Sequence, residues 1–248
     1  MSRIISLFAV LCRKNCEKSM LLKKSVKNWN TLRQMLDFFA KIVHNMINNF
    51  SYYRGSFSVE KLKQRIQEEG RVLPGNIVKV DGFLNHRVDT KLMEEMAKEF
   101  AKHFDVSKIT KVLTAEASGI ALATICANQY NVPMVFAKKA KSDNIEGGLY
   151  QSEIFSYTYK KKVTLLVSKD WIDANDKVLI VDDFMANGMA VQGLIDIVNK
   201  AGAELVGIGI AVEKGFQGGG DAIRKAGIPI HSLAIIESAE EGKLTFRD

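Results

Sequence analysis

Residues able to do chemistry concentrate in one stretch of this sequence, Val178-Leu179-Ile180-Val181-Asp182-Asp183-Phe184-Met185-Ala186-Asn187-Gly188-Met189-Ala190. Four apolar residues read as a strand buried on both faces. Two adjacent carboxylates follow where that strand should emerge, then a short loop with a glycine, then a helical pattern. On a regular strand neighbouring side chains point to opposite faces, and burying one ionised acid unpaired is costly. The pair therefore belongs at a strand end, open to solvent or to a polyol. In open α/β sheets the carboxyl end of a strand feeding a helix is where ligands bind. The acids can accept from hydroxyls, and the N–H groups of the small-residue loop suit a phosphate, with the next helix dipole assisting. That combination suits a sugar phosphate. Read without a ligand, the dipeptide is an ordinary turn-and-cap pair. Other phosphate signatures are absent: there is no GxxxxGK[ST], and Gly207-x-Gly209 falls inside an apolar strand pattern, where it would ease close helix packing.

The elements that must position these residues read as an α/β chain. Val59 to Glu69 predicts a polar amphipathic helix stopped by Gly70, and Ile77 to Phe83 a short extended piece ending in Leu84-Asn85-His86. A helix is expected over 90–104, a strand over 111–114, a helix over 120–130 and a strand over 134–137. A polar loop over 139–152 then leads to a hairpin, 154–159 with 163–167, about the turn Lys160-Lys161-Lys162. The alternation returns as strand 178–182, helix 189–201 closed by Gly202, strand 205–212, helix 218–226 closed by Gly227 and strand 229–235. Strands alternating with helices imply right-handed crossovers and a mostly parallel sheet flanked by helices.

Composition narrows the class further. The chain has 248 residues, 47% hydrophobic and 25% charged, enough to bury a full core without staples. Cys12, Cys16 and Cys126 are an odd set without CxxC spacing, which argues for a reduced, cytoplasmic setting. Cys126 sits on an apolar helix and reads as packing, and His44, His86, His103 and His231 have no metal-ligand spacing. The net charge is +7, but residues 1–58 hold 10 Lys and Arg against 2 Asp and Glu, while residues 59–248 hold 25 against 26. The body is thus near neutral, and a nucleic-acid-binding face has little support there.

Residues 1–58 differ from the rest. The apolar run Ile4 to Cys12 has the length of a signal h-region, is too short to span a bilayer, and is not followed by a convincing cleavage site. Leu32, Met35, Leu36, Phe39, Ile42, Val43, Met46 and Ile47 repeat at helical spacing, fitting an amphipathic helix. Val59 can be encoded by GTG, a bacterial start codon. The expectation is two regions, an atypical basic extension over 1–58 and the α/β domain over 59–248, with translation starting at Val59. N-terminal sequencing of the natural protein tests this, and a mature chain beginning near Met1 would sink it.

Residues 178–190 resemble the phosphoribosyl-diphosphate (PRPP) motif of type I phosphoribosyltransferases: a hydrophobic strand, two acids, and a loop usually rich in Thr or Ser and Gly. Here Ala186-Asn187-Gly188-Met189-Ala190 lacks those hydroxyls, as in the bacterial xanthine phosphoribosyltransferase branch. Further blocks match in the same order: Val80-Asp81-Gly82-Phe83-Leu84-Asn85-His86, Thr114-Ala115-Glu116-Ala117-Ser118-Gly119-Ile120-Ala121, Val135-Phe136-Ala137-Lys138-Lys139 and Val212-Glu213-Lys214-Gly215-Phe216-Gln217. The resemblance runs from Val59 essentially to the C-terminus and leaves residues 1–58 without a counterpart.

It implies the type I phosphoribosyltransferase fold with a small hood and a flexible hairpin loop, a homodimer, and purine salvage from xanthine and PRPP with Mg²⁺ carried by PRPP. Asp182 and Asp183 would hold the ribose hydroxyls and the backbone of Ala186, Asn187, Gly188, Met189 and Ala190 the 5-phosphate. Ser118 and Gly119 would receive pyrophosphate, steadied by Lys138. Ser118 read alone is an ordinary helix N-cap, and Lys138 read alone is solvated surface. Lys214, Val78 and Asn85 would bind the base, an ammonium facing an oxo group and disfavouring an amino group there. The segment 145–159, with Glu153, Ser156 and Tyr157, occupies the place of the mobile catalytic loop that excludes water. Three rivals accompany this expectation: a PRPP-sensing transcriptional regulator on the same domain, for which residues 1–58 show no adequate helix-turn-helix pattern; an inactive fold relative used as an interaction module, against which the intact acids and Lys214 speak; and an enzyme preferring guanine or hypoxanthine.

Overall fold

The computed structural model describes residues 59–139, 148–156, 161–240 and 243–247. The readings made for residues 1–58, for Tyr157 and for the turn at Lys160 lie outside them. The chain opens with α1 (Val59–Glu69) and a hairpin of β1 (Arg71–Leu73) and β2 (Ile77–Lys79). The extended piece expected up to Phe83 stops at Lys79, and Asp81–Asn85 winds into a π-helical turn instead. A strand would send the neighbours Phe83 and Leu84 to opposite faces; the turn lets both be buried. After it comes α2 (Thr90–His103), whose first turn is capped by the Asp89 carboxylate accepting from Leu92 N–H at 3.1 Å.

The central elements follow as β3 (Lys111–Ala115), α3 (Gly119–Tyr130) and β4 (Met134–Ala137). Next is an antiparallel hairpin of β5 (Leu149–Ser156) and β6 (Lys161–Ser168), then β7 (Lys177–Met185), α4 (Met189–Ala201) and β8 (Glu204–Lys214). The chain ends with α5 (Gly219–Lys225), β9 (Ile230–Glu240) and β10 (Lys243–Phe246). The six-stranded sheet has the order β10-β9-β8-β7-β3-β4, parallel except for β10 against β9.

The apolar run of β7 divides between two layers, as expected for a strand buried on both faces. Leu179 and Val181 join Val112 and side chains of α1, α2 and α3 on one side, while Val178 and Ile180 join Leu113, α4 and the β5–β6 hairpin on the other. Gly207 and Gly209 admit Phe104 and Phe100 against the sheet, and Cys126 is buried in the first layer. Among the described residues no helix is long and apolar enough to cross a membrane.

The hairpin begins at Leu149, inside the stretch expected to be loop. Its alternation is hidden because the inward positions pair buried Ser152 with Ile154, so polarity does not track burial. β10 was not anticipated at all.

Candidate active site

From β3 the chain crosses by α3 to β4 on one side, and from β7 it crosses by α4 to β8 on the other. Adjacent strands whose connections diverge leave a crevice between their carboxyl ends, the switch point where open sheets bind ligands. The β3–β7 ladder closes at Leu113 with Ile180, whereas the β7–β8 ladder continues through Asp182 with Ile210, Phe184 with Val212 and Met185 with Glu213. The strand was expected to end at Asp182; it runs three residues further, and the acids are held in a segment paired on one side only. Their other side opens onto the Glu116–Gly119 turn, whose Glu116-Ala117 peptide is cis.

Both acids are nearly enclosed, at 7% exposure for Asp182 and 1% for Asp183. Asp182 Oδ1 accepts from the Asp183 N–H at 3.0 Å, and Asp183 Oδ1 accepts from Ser118 Oγ at 2.8 Å. Asp183 Oδ2 and Thr114 Oγ1 are buried without a hydrogen-bond partner in the protein. Such orphans cost free energy unless something else pairs with them. Burial first, then the neighbouring Asp183 carboxylate, pushes the Asp182 carboxyl well above the usual range, while the charge of Lys139 opposes the shift. Gly119 is obligatory by space alone, since a Cβ there would run into Thr114 Oγ1 and Asp182 Oδ1.

A cavity of about 250 Å³ covers the acids. It is lined by Glu116, Ser118 and Lys139 from one edge, by Ile154, Phe155 and Val163 of the hairpin, and by the continuous run Asp182 to Val191. In the loop, Asn187 Oδ1 accepts from the Met189 N–H at 3.2 Å, so a side-chain amide braces the turn where hydroxyl residues are missing. Gly188 then starts α4 from the left-handed region at φ 77°.

Asp182, Asp183, Ala186, Asn187, Gly188, Met189, Ala190 and Ser118 are thus brought to one cavity, with Gly119 behind them. Ser118 does not cap its helix; its hydroxyl is given to Asp183. Lys138 is elsewhere. It bridges Leu166 and lines a separate cavity of about 780 Å³ with Trp171 and Phe136, because successive residues at a strand end point opposite ways. Lys139 faces the acids, and its N–H donates to Glu116 Oε1 at 2.6 Å. The sequence reading passed over Lys139 although the pleat alternation was available to separate the two lysines.

Of the three residues expected to bind the base, Lys214 reaches this cavity through Phe184. Lys214, at the end of β8, sends its Nζ to the Asn76 carbonyl of the β1–β2 hairpin at 3.3 Å and stands 5.5 Å from the centre of the Phe184 ring. Burial lowers its ammonium pKa. Val78 is buried in the same hairpin, and Asn85 is exposed at the end of the π-helical turn. Phe184, unremarked in the sequence, links the halves: it lines the acid cavity and lies next to Lys214. Glu153 is exposed on the hairpin, 3.7 Å from Lys162, and Ser156 pairs with Lys161 in the ladder.

A doubly wound sheet with two buried acids and a bare-backbone loop at its switch point defines a phosphoribosyl transferase domain, the family that residues 81–223 match. The fold resembles that of the APRTase from Giardia lamblia complexed with 9-deazaadenine, with TM-score 0.61, 24% identity, and coverage of 73% of this chain and 99% of that one. The sequence is 53% identical over 190 residues to the xanthine phosphoribosyltransferase of Ruminiclostridium cellulolyticum, covering 77% of this chain and 100% of the relative. It is 52% identical over 192 residues to that of Bifidobacterium longum strain NCC 2705, covering 76% and 100%. The chain belongs to the xanthine phosphoribosyltransferase family.

Proposed function

We propose that this protein transfers the 5-phosphoribosyl group of PRPP to xanthine, giving xanthosine 5'-monophosphate and pyrophosphate in purine salvage. The observation that carries the reading is the pair Asp182 and Asp183, buried with an unpartnered oxygen beside the Ala186–Ala190 loop, in a chain about half identical to xanthine phosphoribosyltransferases. Ring nitrogen N9 of the base attacks C1 of PRPP as the C1–O bond to pyrophosphate breaks, and positive charge develops on the ribose.

Asp182 and Asp183 accept from the ribose 2- and 3-hydroxyls, and the negative charge that the coupled pair retains favours the cationic ribose. The N–H groups of the Ala186–Ala190 loop hold the 5-phosphate, the Asn187 amide bracing them. Ser118 and Lys139 face the departing pyrophosphate, with Gly119 behind them; Lys138, directed to the other cavity, is given no contact with it. Ile154, Phe155 and Val163 wall the site with apolar groups, which keeps water from hydrolysing PRPP. Phe184 offers a face for the purine, with Lys214 directed at an oxo group and Val78 and Asn85 completing the base side.

The donor set also suits Mg²⁺, a hard cation that takes oxygen ligands. Mg²⁺ would come with the diphosphate oxygens, with Asp182 and Asp183 as the protein oxygens nearest to hold it. Bound there, it would neutralise charge on the leaving pyrophosphate. We read the protein as a cytoplasmic homodimer, which gel filtration with light scattering tests.

A panel of xanthine, guanine, hypoxanthine and adenine with PRPP and Mg²⁺ tests the reaction. Xanthine should be used with the highest kcat/KM and adenine not at all; no turnover of any oxopurine would end the reading. Lys214→Ala should raise the KM for xanthine by about tenfold or more, the scale of a lost charged hydrogen bond, and leave that for PRPP within about threefold. Equal losses in both would remove Lys214 from the base side.

A further inference from the structure

Glu213 is completely buried, stands directly before Lys214, and has no part in the reaction as described. Its carboxylate is fully engaged. Arg224 of α5 donates to it through both terminal nitrogens, at 2.9 and 2.6 Å, and Ser232 of β9 donates a hydroxyl. Such bidentate geometry fixes orientation as well as charge. Arg224 also reaches Asp221 at 3.1 Å, and Asp221 is held from the other side by Arg247 at 2.7 and 3.1 Å.

The start of α5 fits into this arrangement with no room to spare. A Cβ on Gly219 would lie 2.5 Å from the Asn187 carbonyl carbon, 2.6 Å from the Ala186 oxygen and 2.6 Å from the Gly188 nitrogen, the backbone of the phosphate loop itself. A Cβ on Gly220 would overlap the Glu213 carboxylate. Two consecutive residues thus touch the two halves of the site: one abuts the loop after β7, the other the carboxylate beside Lys214 at the end of β8. Met185 pairs with Glu213 in register, so both contacts start from the same level of the sheet.

We propose that Gly219 and Gly220, locked by the Arg224–Glu213 pair, form a positioning strut that fixes the distance between the phosphate loop and the base-facing end of β8. The proposal rests on the phosphoribosyl-transfer reading above. Transfer requires the attacking nitrogen and C1 to meet within about 3–3.5 Å, and errors of about 1 Å cost as much as a hundredfold in rate. PRPP is held at one end through its 5-phosphate and the base at the other through Lys214, so that distance is set by whatever spans the two anchors. Glu213 and Lys214, successive residues of β8, point to opposite faces, and with the Glu213 carboxylate claimed by Arg224 and Ser232 Lys214 has no ion pair among the described residues.

Steady-state kinetics of Gly219→Ala, Gly220→Ala and Arg224→Lys, with PRPP calorimetry and thermal melts of each, test it. Gly219→Ala should raise the KM and the calorimetric Kd for PRPP about tenfold or more and leave the xanthine KM within about twofold. Gly220→Ala should do the reverse. Arg224→Lys, which keeps the charge but loses the fork and adds no Cβ, should raise the xanthine KM by less than Gly220→Ala does and serves if a glycine variant does not fold. A merely structural role would lower the melting temperature and leave both KM values of the folded enzyme unchanged; that result, or the same KM moved by both glycine variants, would overturn the strut while the wild-type reaction stood. A wild type that neither binds PRPP nor turns over an oxopurine would overturn the functional reading, and the strut with it.

Discussion

Asp182 and Asp183 near the end of β7, and Glu213 near the end of β8, are buried to much the same degree on neighbouring strands, at 7%, 1% and 0% exposure. Their oxygens fare differently. Glu213 has Arg224 at both oxygens and Ser232 at one of them, whereas Asp183 keeps one oxygen without a partner and Asp182 is pushed toward its protonated form by burial and by its neighbour. A satisfied buried acid holds structure in place. An unsatisfied one is tolerated where a ligand completes it, and here the uncompleted pair opens on a cavity.

That contrast can be broken from either side, and the largest effect is expected at the unsatisfied pair. Asp182→Asn should reduce kcat/KM for PRPP by about a hundredfold or more, the cost of losing a charge-stabilising group in a catalytic site. The same change should raise the melting temperature. An acid whose folded pKa lies above its unfolded value stabilises the fold most below the unfolded pKa and loses that contribution as pH rises through the folded one. The gain from Asn should therefore be greater at pH 8 than at pH 5 in melts of the two proteins side by side. Glu213→Ala should do the opposite, costing about 3 kcal/mol in denaturant titrations because it strands Arg224 and Ser232. A stable Glu213→Ala variant would erase the distinction between the two sites.

Smaller effects sharpen it. Lys139→Ala should raise the KM for PRPP about fivefold, and Lys138→Ala less than twofold, since only Lys139 adds its charge at the acids. Equal effects would place both lysines at one site. The smallest is expected at the foot of the sheet, where His231 stacks on His103 with ring centroids 3.4 Å apart and has an unpartnered buried Nε2. Burial, then the charge of His103, lowers the His231 pKa to about 4, with Glu99 opposing and Arg224 assisting. The fold thus favours the neutral ring, so this contribution to stability is present above pH about 6.5 and is lost as pH falls toward 4. His231→Asn should flatten the decline in melting temperature between pH 7 and pH 5.

Much of this arrangement was legible in the sequence because it is local. The run Val178 to Val181 announced a doubly buried strand, and the acids and the glycine loop announced a ligand at its end. What escaped depends on neighbours. The strand carries its acids inside the ladder because β8 keeps pairing after β3 has stopped, a fact that belongs to two other strands. Ser152 occupies an inward position of the hairpin and hid the start of β5. The period of Leu244 and Phe246 could have revealed β10, whereas the role of Glu213 could not be read from one chain segment, since Arg224 and Ser232 come from elements further along. Lys138 and Lys139 differ only in which way the chain points them, and there the alternation rule was sufficient and went unused.

PRPP completes the oxygen left open on the acid pair. Calorimetry of PRPP with Mg²⁺, in the absence of a base, compares the wild type with Asp183→Asn directly. Binding by the wild type and a weakening of about tenfold or more in the variant, with an unchanged or higher melting temperature, is the expected result. Equal PRPP affinity in the two proteins would contradict it.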